Sequence, residues 1–291
     1  MIICIVGPTG VGKTKLSVEL AKKYNAVIIN CDAMQVYKDL NIGTAKVREE
    51  EKDGVPHYLF DIKEVDEDYT VYDYQRDARN LIEKFKDKNI IFVGGTGLYL
   101  KAALYDYRFT EESSPKKDYS MYTNEELYKM IKEKDINVTI HPNNRIRMER
   151  FLNKEEITYP EPVKLYDHYL IGLTTDRNIL YDRINKRVDI MVEDGLLEEA
   201  KSFYDKGIKT KPLMGGIGYK ELYDYFDNKV DLATALDKIK QNSRRYAKRQ
   251  YTFFNNQLDV KWFNVDFGNF NNTINDVSNY IEKSENNDWN K

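Results

Sequence analysis

Cysteine is scarce in this chain, and so is histidine. Cys4 and Cys31 are the only two cysteines in 291 residues, and they form no C-x-x-C pair. That excludes a disulfide-stapled secreted domain and a thiolate metal centre, and it fits a reducing compartment. His57, His141 and His168 are scattered. With no H-E-x-x-H or other ligand spacing, each reads as a structural residue and not as a metal ligand. No apolar run is long enough to span a membrane. Internal repeats and low-complexity linkers are missing too. Charge of one sign is also lacking: 45 Lys and Arg face 48 Asp and Glu, for a net −3. No global field therefore draws the chain to nucleic acid, although a local basic face stays open. A strand and a phosphate-binding motif occupy the first residues, so no signal peptide is expected. The expected protein is cytoplasmic, free of membrane and monomeric.

What is present begins with Gly7-Pro8-Thr9-Gly10-Val11-Gly12-Lys13-Thr14, which fits the phosphate-cradling pattern G-x-x-x-x-G-K-[ST]. Its context fits as well. Residues 2–6 are a short apolar run that reads as a buried strand. Residues 15–24 carry Leu16, Leu20 and Ala21 at helical spacing. Glycines let successive backbone N–H groups turn toward one point, and the following helix adds its positive end. Lys13 supplies a mobile cation, and the Thr14 hydroxyl is suited to ligate Mg²⁺. The loop therefore predicts a bound diphosphate or longer polyphosphate. It leaves open whether phosphate or the group attached to it is transferred.

Residues 26–30 read as a second buried strand that runs into Asp32. In a parallel α/β sheet ligands sit at the carboxyl ends of strands, which sets Asp32 on the same edge as the phosphate loop. A helix is predicted over 72–85. A third strand at 89–93 is broken by Gly94-Gly95-Thr96-Gly97, and a helix follows over 98–104. The recurring order of strand, glycine turn and helix predicts a P-loop NTPase-like, doubly wound parallel sheet. The third strand ends in glycines and not in the acidic residue many phosphate-loop NTPases use for Mg²⁺. That argues against an ordinary kinase or ATPase and leaves Asp32 as the main carboxylate near the phosphates.

From about Arg108 to Asp167 the strand pattern stops. Residues 111–117 are polar and turn-like. Helices are predicted over 124–134 and after His141-Pro142-Asn143-Asn144. The expected organisation is a discontinuous core of residues 1–108 and 168–291 with a helical insertion at 109–167. A strand at 168–173 leads to a helix capped by Thr175 or Asp176 and running to about Val192. On it Arg183 and Arg187, four apart, share a face. Gly215-Gly216-Ile217-Gly218 turns into another helix. A long helix over 232–255 carries Lys238, Lys240, Arg244, Arg245, Lys248 and Arg249 among Tyr246, Tyr251, Phe253 and Phe254, a basic patch suited to a phosphate backbone. A last strand at 260–265, a helix over 270–283 and a frayed tail from Ser284 complete the reading.

With these residues in view, the chain resembles the tRNA dimethylallyltransferase (tRNA isopentenyltransferase) family over roughly residues 3–255. The landmarks are the phosphate loop, Asp32-Ala33-Met34-Gln35-Val36-Tyr37, Ile42-Gly43-Thr44-Ala45-Lys46, Pro56-His57-Tyr58-Leu59 and Gly94-Gly95-Thr96-Gly97-Leu98-Tyr99. They continue with His141-Pro142-Asn143-Asn144, Asp176-Arg177, Arg183-Ile184-Asn185-Lys186-Arg187, Ile217-Gly218-Tyr219-Lys220 and Arg245-Tyr246-Ala247-Lys248-Arg249-Gln250. So many motifs in one order make the likeness specific.

The resemblance implies transfer of a five-carbon group from dimethylallyl diphosphate to N6 of the adenosine just 3′ of a tRNA anticodon, with diphosphate leaving. It implies Asp32 as general base. Lys13, Thr14 with Mg²⁺, the N–H groups of the loop from Gly7 to Thr14, and Arg187 would stabilise the leaving group, with Arg183 a lesser candidate. Thr96 would stand near donor and tRNA. The tRNA contacts implied are Asp32, Ala33, Met34 and Gln35; Ile146, Arg147, Met148, Glu149 and Arg150; Gly215, Gly218 and Lys220; and Arg245 and Arg249. The insertion is shorter than is usual in the family, and Arg145, Ile146, Glu149 and Gly215 depart from its pattern. Nothing resembles the zinc finger of eukaryotic relatives, so Mg²⁺ is the one metal implied.

Overall fold

The computed structural model describes residues 1–109, 117–153 and 163–288. The chain folds as two compact units, Met1–Tyr107 with Lys164–Lys291, and Arg108–Val163. The expected polar turn at 111–117 lies, apart from Lys117, outside the described residues.

The larger unit is built on one six-stranded sheet. Its strands are β1 (Ile2–Val6), β2 (Ala26–Asn30), β3 (His57–Tyr58), β4 (Asn89–Val93), β5 (Tyr169–Thr174) and β6 (Lys261–Asn264). Their order is β3-β2-β4-β1-β5-β6, and every pairing is parallel. The expected third strand is thus the fourth in chain order, because the two residues of β3 are too few to leave a periodic signal.

The apolar strand runs follow from burial on both faces. Side chains alternate across a strand. Cys4, Val6, Val27, Ile29, Ile90 and Phe92 enter one core. Ile3, Ile5, Ala26, Ile28, Ile91 and Val93 enter the other. The first core is closed by α3 (Val71–Lys84), through Tyr74, Ala78 and Ile82, and by α4 (Gly97–Leu104). The second is closed by Leu16 and Leu20 of α1 (Lys13–Tyr24), Leu180 and Ile184 of α7 (Arg177–Glu193), and Val277 and Ile281 of α12 (Phe270–Asp288). That last helix runs through residues 284–288, where a frayed tail was expected. Asp176 caps α7 by accepting from the N–H groups of Asn178 and Ile179.

Further elements escaped the sequence reading: α2 (Glu49–Lys52), α8 (Leu196–Tyr204) and α9 (Lys211–Gly215). Gly215 is therefore the last residue of a short helix. The glycine turn proper is Gly216 to Gly218, before α10 (Tyr219–Phe226). The long helix α11 spans Leu232–Gln257.

The smaller unit holds α5 (Asn124–Lys134) and α6 (Arg145–Leu152). Thr123 and Glu126 form a capping box at the start of α5. Tyr119, Leu127, Ile131, Val138, Ile140, Met148 and Phe151 make a core of its own. The off-pattern pair Arg145 and Glu149 is internal to this unit. Arg145 Nε lies 2.7 Å from Glu149 Oε1, and its two terminal nitrogens donate to the carbonyls of Tyr122 and Tyr119.

Candidate active site

The phosphate loop leaves β1 at Gly7, whose φ is +135° and where a Cβ would stand 2.5 Å from the Leu173 carbonyl oxygen. Only glycine fits there. Gly10 and Gly12 also take positive φ, which rolls the chain into the first turn of α1. Val11 points away, fully buried in the core, so only its backbone can face a ligand. Lys13 folds back, its Nζ donating to the Pro8 carbonyl at 2.7 Å. Thr14 is exposed in the first turn of α1.

Beside the loop lies a cavity of about 650 Å³. Its walls collect Thr9, Gly10, Gly12, Lys13 and Thr14 from the loop, and Asp32, Met34 and Gln35 from the turn after β2. They also collect Arg183 and Arg187 from α7, Gly215 and Gly218, and Arg249 from α11. These sequence-expected residues therefore share one site. Ile146, Arg147, Met148, Glu149 and Arg150 belong to the smaller unit. Of these, Ile146, Arg147 and Arg150 are exposed. Met148 is 0% exposed within the small core, so it supports α6 from beneath and offers no surface to an RNA.

Asp32 is held by backbone and neighbour. Asn30, buried at 0%, accepts from the Asp32 N–H at 2.9 Å and donates to the carbonyls of Asp32 and Leu59. One carboxylate oxygen, Oδ1, accepts from the Met34 N–H at 2.9 Å. Thr96 Oγ1 accepts from the Ala33 N–H at 3.0 Å, so Thr96 secures the same turn. Asn30→Asp keeps the shape but turns two donations into oxygen–oxygen contacts. It should cost roughly 2–3 kcal/mol of stability, read by denaturant unfolding. A loss under about 0.5 kcal/mol would contradict this role for the amide.

Electrostatics tie the cations to the carboxylate. Burial lowers the Lys13 pKa from its ordinary 10.5 to about 7; the Arg187 charge lowers it further and Asp32 opposes the shift. Burial likewise lowers the pKa of half-buried Arg187, against the raising influence of Asp32. Burial thus disfavours the charged form of both groups, a cost that a bound polyanion would offset.

The sign for Lys13 follows. Between about pH 7 and 10.5 the unfolded chain holds a proton at Lys13 that the folded protein does not, so Lys13 makes stability fall as pH drops through that window. A bound diphosphate restores the proton, so binding takes one up, and this contribution to affinity weakens as pH rises above 7. Calorimetry with inorganic diphosphate at pH 8, in two buffers of different ionisation enthalpy, should detect the uptake in wild type and lose it in Lys13→Met. Equal uptake in both would remove Lys13 from the site.

Arg183 lines the cavity as well. Its Nε donates to the Gly10 carbonyl at 2.9 Å, and its guanidinium lies 3.8 Å from the Phe267 ring centroid, so it braces the loop. The six cations of α11 do not form one patch. At 3.6 residues per turn, Lys238, Arg245 and Arg249 line one row and Lys240, Arg244 and Lys248 another. In the second row Lys240 pairs with Asp189 at 2.6 Å and Arg244 donates to Asn185.

Tyr246, which sequence reading noted only as an interleaved aromatic, lines the cavity. Burial raises its pKa, the Asp32 charge adds to that, and a hydrogen bond with Thr96 opposes it. Glu199 of α8 accepts from the N–H groups of Asn41, Ile42 and Gly43 and from Tyr219 Oη. It thereby pins the Ile42–Lys46 motif beside the cavity. Burial keeps Cys4 and Cys31 as neutral thiols, Cys31 with its pKa pushed up to about 12, which leaves them without nucleophilic character.

A parallel sheet with the phosphate loop after β1, and a carboxylate after β2 with β4 between the two strands, define a P-loop α/β protein. The model of the IPP transferase family matches residues 35–257, most of the chain, and this chain belongs to that family. It is 45% identical over 298 aligned positions to the tRNA dimethylallyltransferase of Anoxybacillus flavithermus, covering 97% of this chain and 96% of that one. It is 47% identical over 284 positions to the enzyme of the same name from Geobacillus thermodenitrificans, covering 91% and 90%. Among solved structures, the full-length tRNA isopentenylpyrophosphate transferase of Bacillus halodurans superposes with a TM-score of 0.77 at 43% identity, covering 97% and 95%. A eukaryotic dimethylallyltransferase solved while acting on tRNA gives a TM-score of 0.74 at 28% identity, covering 90% of this chain and 73% of that one. Among the described residues no helix is long and apolar enough to cross a membrane.

Proposed function

We propose that this protein transfers the dimethylallyl group of dimethylallyl diphosphate to N6 of the adenosine just 3′ of a tRNA anticodon. The observation that carries the reading is the convergence of Lys13, Arg187 and Asp32 on one cavity, close enough for each charge to act on the others.

The diphosphate lies against the loop N–H groups, Lys13 and Arg187. The target base leaves its stack to enter the cavity. The N6 lone pair forms a bond to C1 of the allyl group as the C1–O bond breaks, and that electron pair passes to the diphosphate oxygen. The N6 proton moves to the free oxygen of Asp32 and on to solvent. Lys13 and Arg187 meet the charge growing on the leaving oxygen, where fixed cations act most strongly.

The residues suit Mg²⁺. Among the described residues there is no cluster of three or more acidic, His or Cys side chains for an all-protein cage, and the exposed Thr14 hydroxyl beside a diphosphate is the kind of sparse site Mg²⁺ takes. Bound there, Mg²⁺ would neutralise diphosphate charge. Met34, Met191 and Ile217 among the lining residues offer the soft apolar wall a five-carbon chain needs. The exposed Arg147 and Arg150 of α6, Lys220, and the Arg245–Arg249 row are assigned to the tRNA backbone. A monomer in the cytoplasm completes the proposal.

The test is purified protein with dimethylallyl diphosphate labelled in its allyl carbons and unmodified tRNA. Label should enter tRNA in a single modified adenosine. Transfer of the γ-phosphate of ATP to a small acceptor, with no label in tRNA, would replace this reading with a kinase.

A further inference from the structure

Gln250 sits on α11, 4% exposed, far in sequence from the loop it touches. Its Oε1 accepts from the Thr9 N–H at 3.1 Å, and its Nε2 donates to the Gly95 carbonyl at 3.1 Å. Thr9 belongs to the phosphate loop. Gly95 belongs to the turn after β4, and that turn leads to the other half of the site. Thr96 donates its N–H to the Cys31 carbonyl and accepts from Ala33 through its hydroxyl, on either side of Asp32. A single buried amide thus spans the polyphosphate end and the carboxylate end of the cavity. Its helix also presents Tyr246 and Arg249 to that cavity.

The fit at Gly95 is close. A Cβ there would stand 1.9 Å from Nε2, and apart from Gln250 its nearest neighbour is the Gly7 carbonyl oxygen at an ordinary 3.8 Å. Gly95 does not have the positive φ that alone would demand glycine. Its lack of a side chain serves the amide.

We infer that Gln250 is a positioning residue: a strap that fixes the phosphate loop against the Gly94-Gly95-Thr96 turn and so sets the span between the bound diphosphate and Asp32. This rests on the reading of the loop as a diphosphate site. Cutting the strap orphans a loop N–H and a turn carbonyl, both of which the amide had satisfied, and frees the loop from the pose that receives the anion. Gln250→Glu keeps the acceptor for Thr9 but sets an oxygen against the Gly95 carbonyl and an anion beside the diphosphate, so it should bind diphosphate less well than Gln250→Ala.

The geometry gives a double-variant test in the full-length protein, read by calorimetry with inorganic diphosphate and Mg²⁺, which needs no turnover. Gln250→Ala should weaken diphosphate by about tenfold, and Gly95→Ala, which evicts the same amide, by a similar factor. The double variant should also lose about tenfold and not the roughly hundredfold of independent sites, because the added methyl then meets no amide. tRNA affinity should stay within a few-fold throughout, and KM for dimethylallyl diphosphate should rise more than kcat falls. Multiplying effects, or a Gly95→Ala variant that binds diphosphate as wild type does, would overturn the strap. Should Gly95→Ala not fold, the double variant compared with Gln250→Ala still decides: equal affinity supports the strap, a further tenfold loss contradicts it. If diphosphate binds as described but no tRNA is labelled, the proposed function fails and the strap stands.

Discussion

Asp32→Asn is expected to slow prenyl transfer by roughly 10²–10⁴-fold, with tRNA binding changed by no more than a few-fold. The choice of asparagine matters. Oδ1 of Asp32 accepts from the Met34 N–H, and an amide oxygen preserves that bond and the turn. What asparagine removes is the basicity of the second oxygen, together with the charge that supports Lys13 and Arg187. Asp32→Ala should lose at least as much turnover, together with some order in the turn. If Asp32→Asn retains turnover within about threefold of wild type, far less than a general base contributes, another group takes the proton.

Arg187→Ala should cost about 10²–10³-fold in kcat. Arg187 lies half-buried in the cavity wall, where water screens it little, and the Asp32 charge favours its protonated form. A cation fixed there before the reaction needs no reorganisation as negative charge grows on the leaving oxygen. Arg187→Lys should restore part of the loss, since a point charge replaces the charge but not the planar fork. Arg183→Ala separates the two arginines. Arg183 braces the Gly10 carbonyl and Phe267, so its loss should appear in KM for the allyl donor before it appears in kcat. Equal kcat losses for both variants would contradict this division.

Much of the framework could be read from the sequence because its signals are local. β1, β2, β4 and β5 are apolar runs bounded by glycine or polar turns, and both sheet faces are buried, so the runs are nearly continuous. The loop, its Lys13 and the nearness of Asp32 follow from a motif and one rule about strand ends. β3 and α2 are too short for any period to register. α8 did carry a signal, with Leu196, Ala200 and Phe203 on one face behind Gly195 at positive φ, and it went unread. Asn30 and Glu199 had no local mark, and the motif that holds Tyr246 and Gln250 does not say what they touch. Each acts through a partner set by tertiary packing, as Gln250 does with Thr9 241 positions away. Met148 was misread for the complementary reason: a motif position says which helix it belongs to, but only packing says which side of that helix it faces.

The central claim is that the loop holds a diphosphate about to leave while Asp32 relieves the attacking amine of its proton. A single-turnover experiment tests it most directly, with enzyme in excess over tRNA and both products followed in the same quenched samples. The account predicts one inorganic diphosphate released for each prenylated adenosine, at equal rates, with the Asp32→Asn variant slow in both. Orthophosphate or ADP in place of diphosphate, or diphosphate released with no modified adenosine, would contradict it.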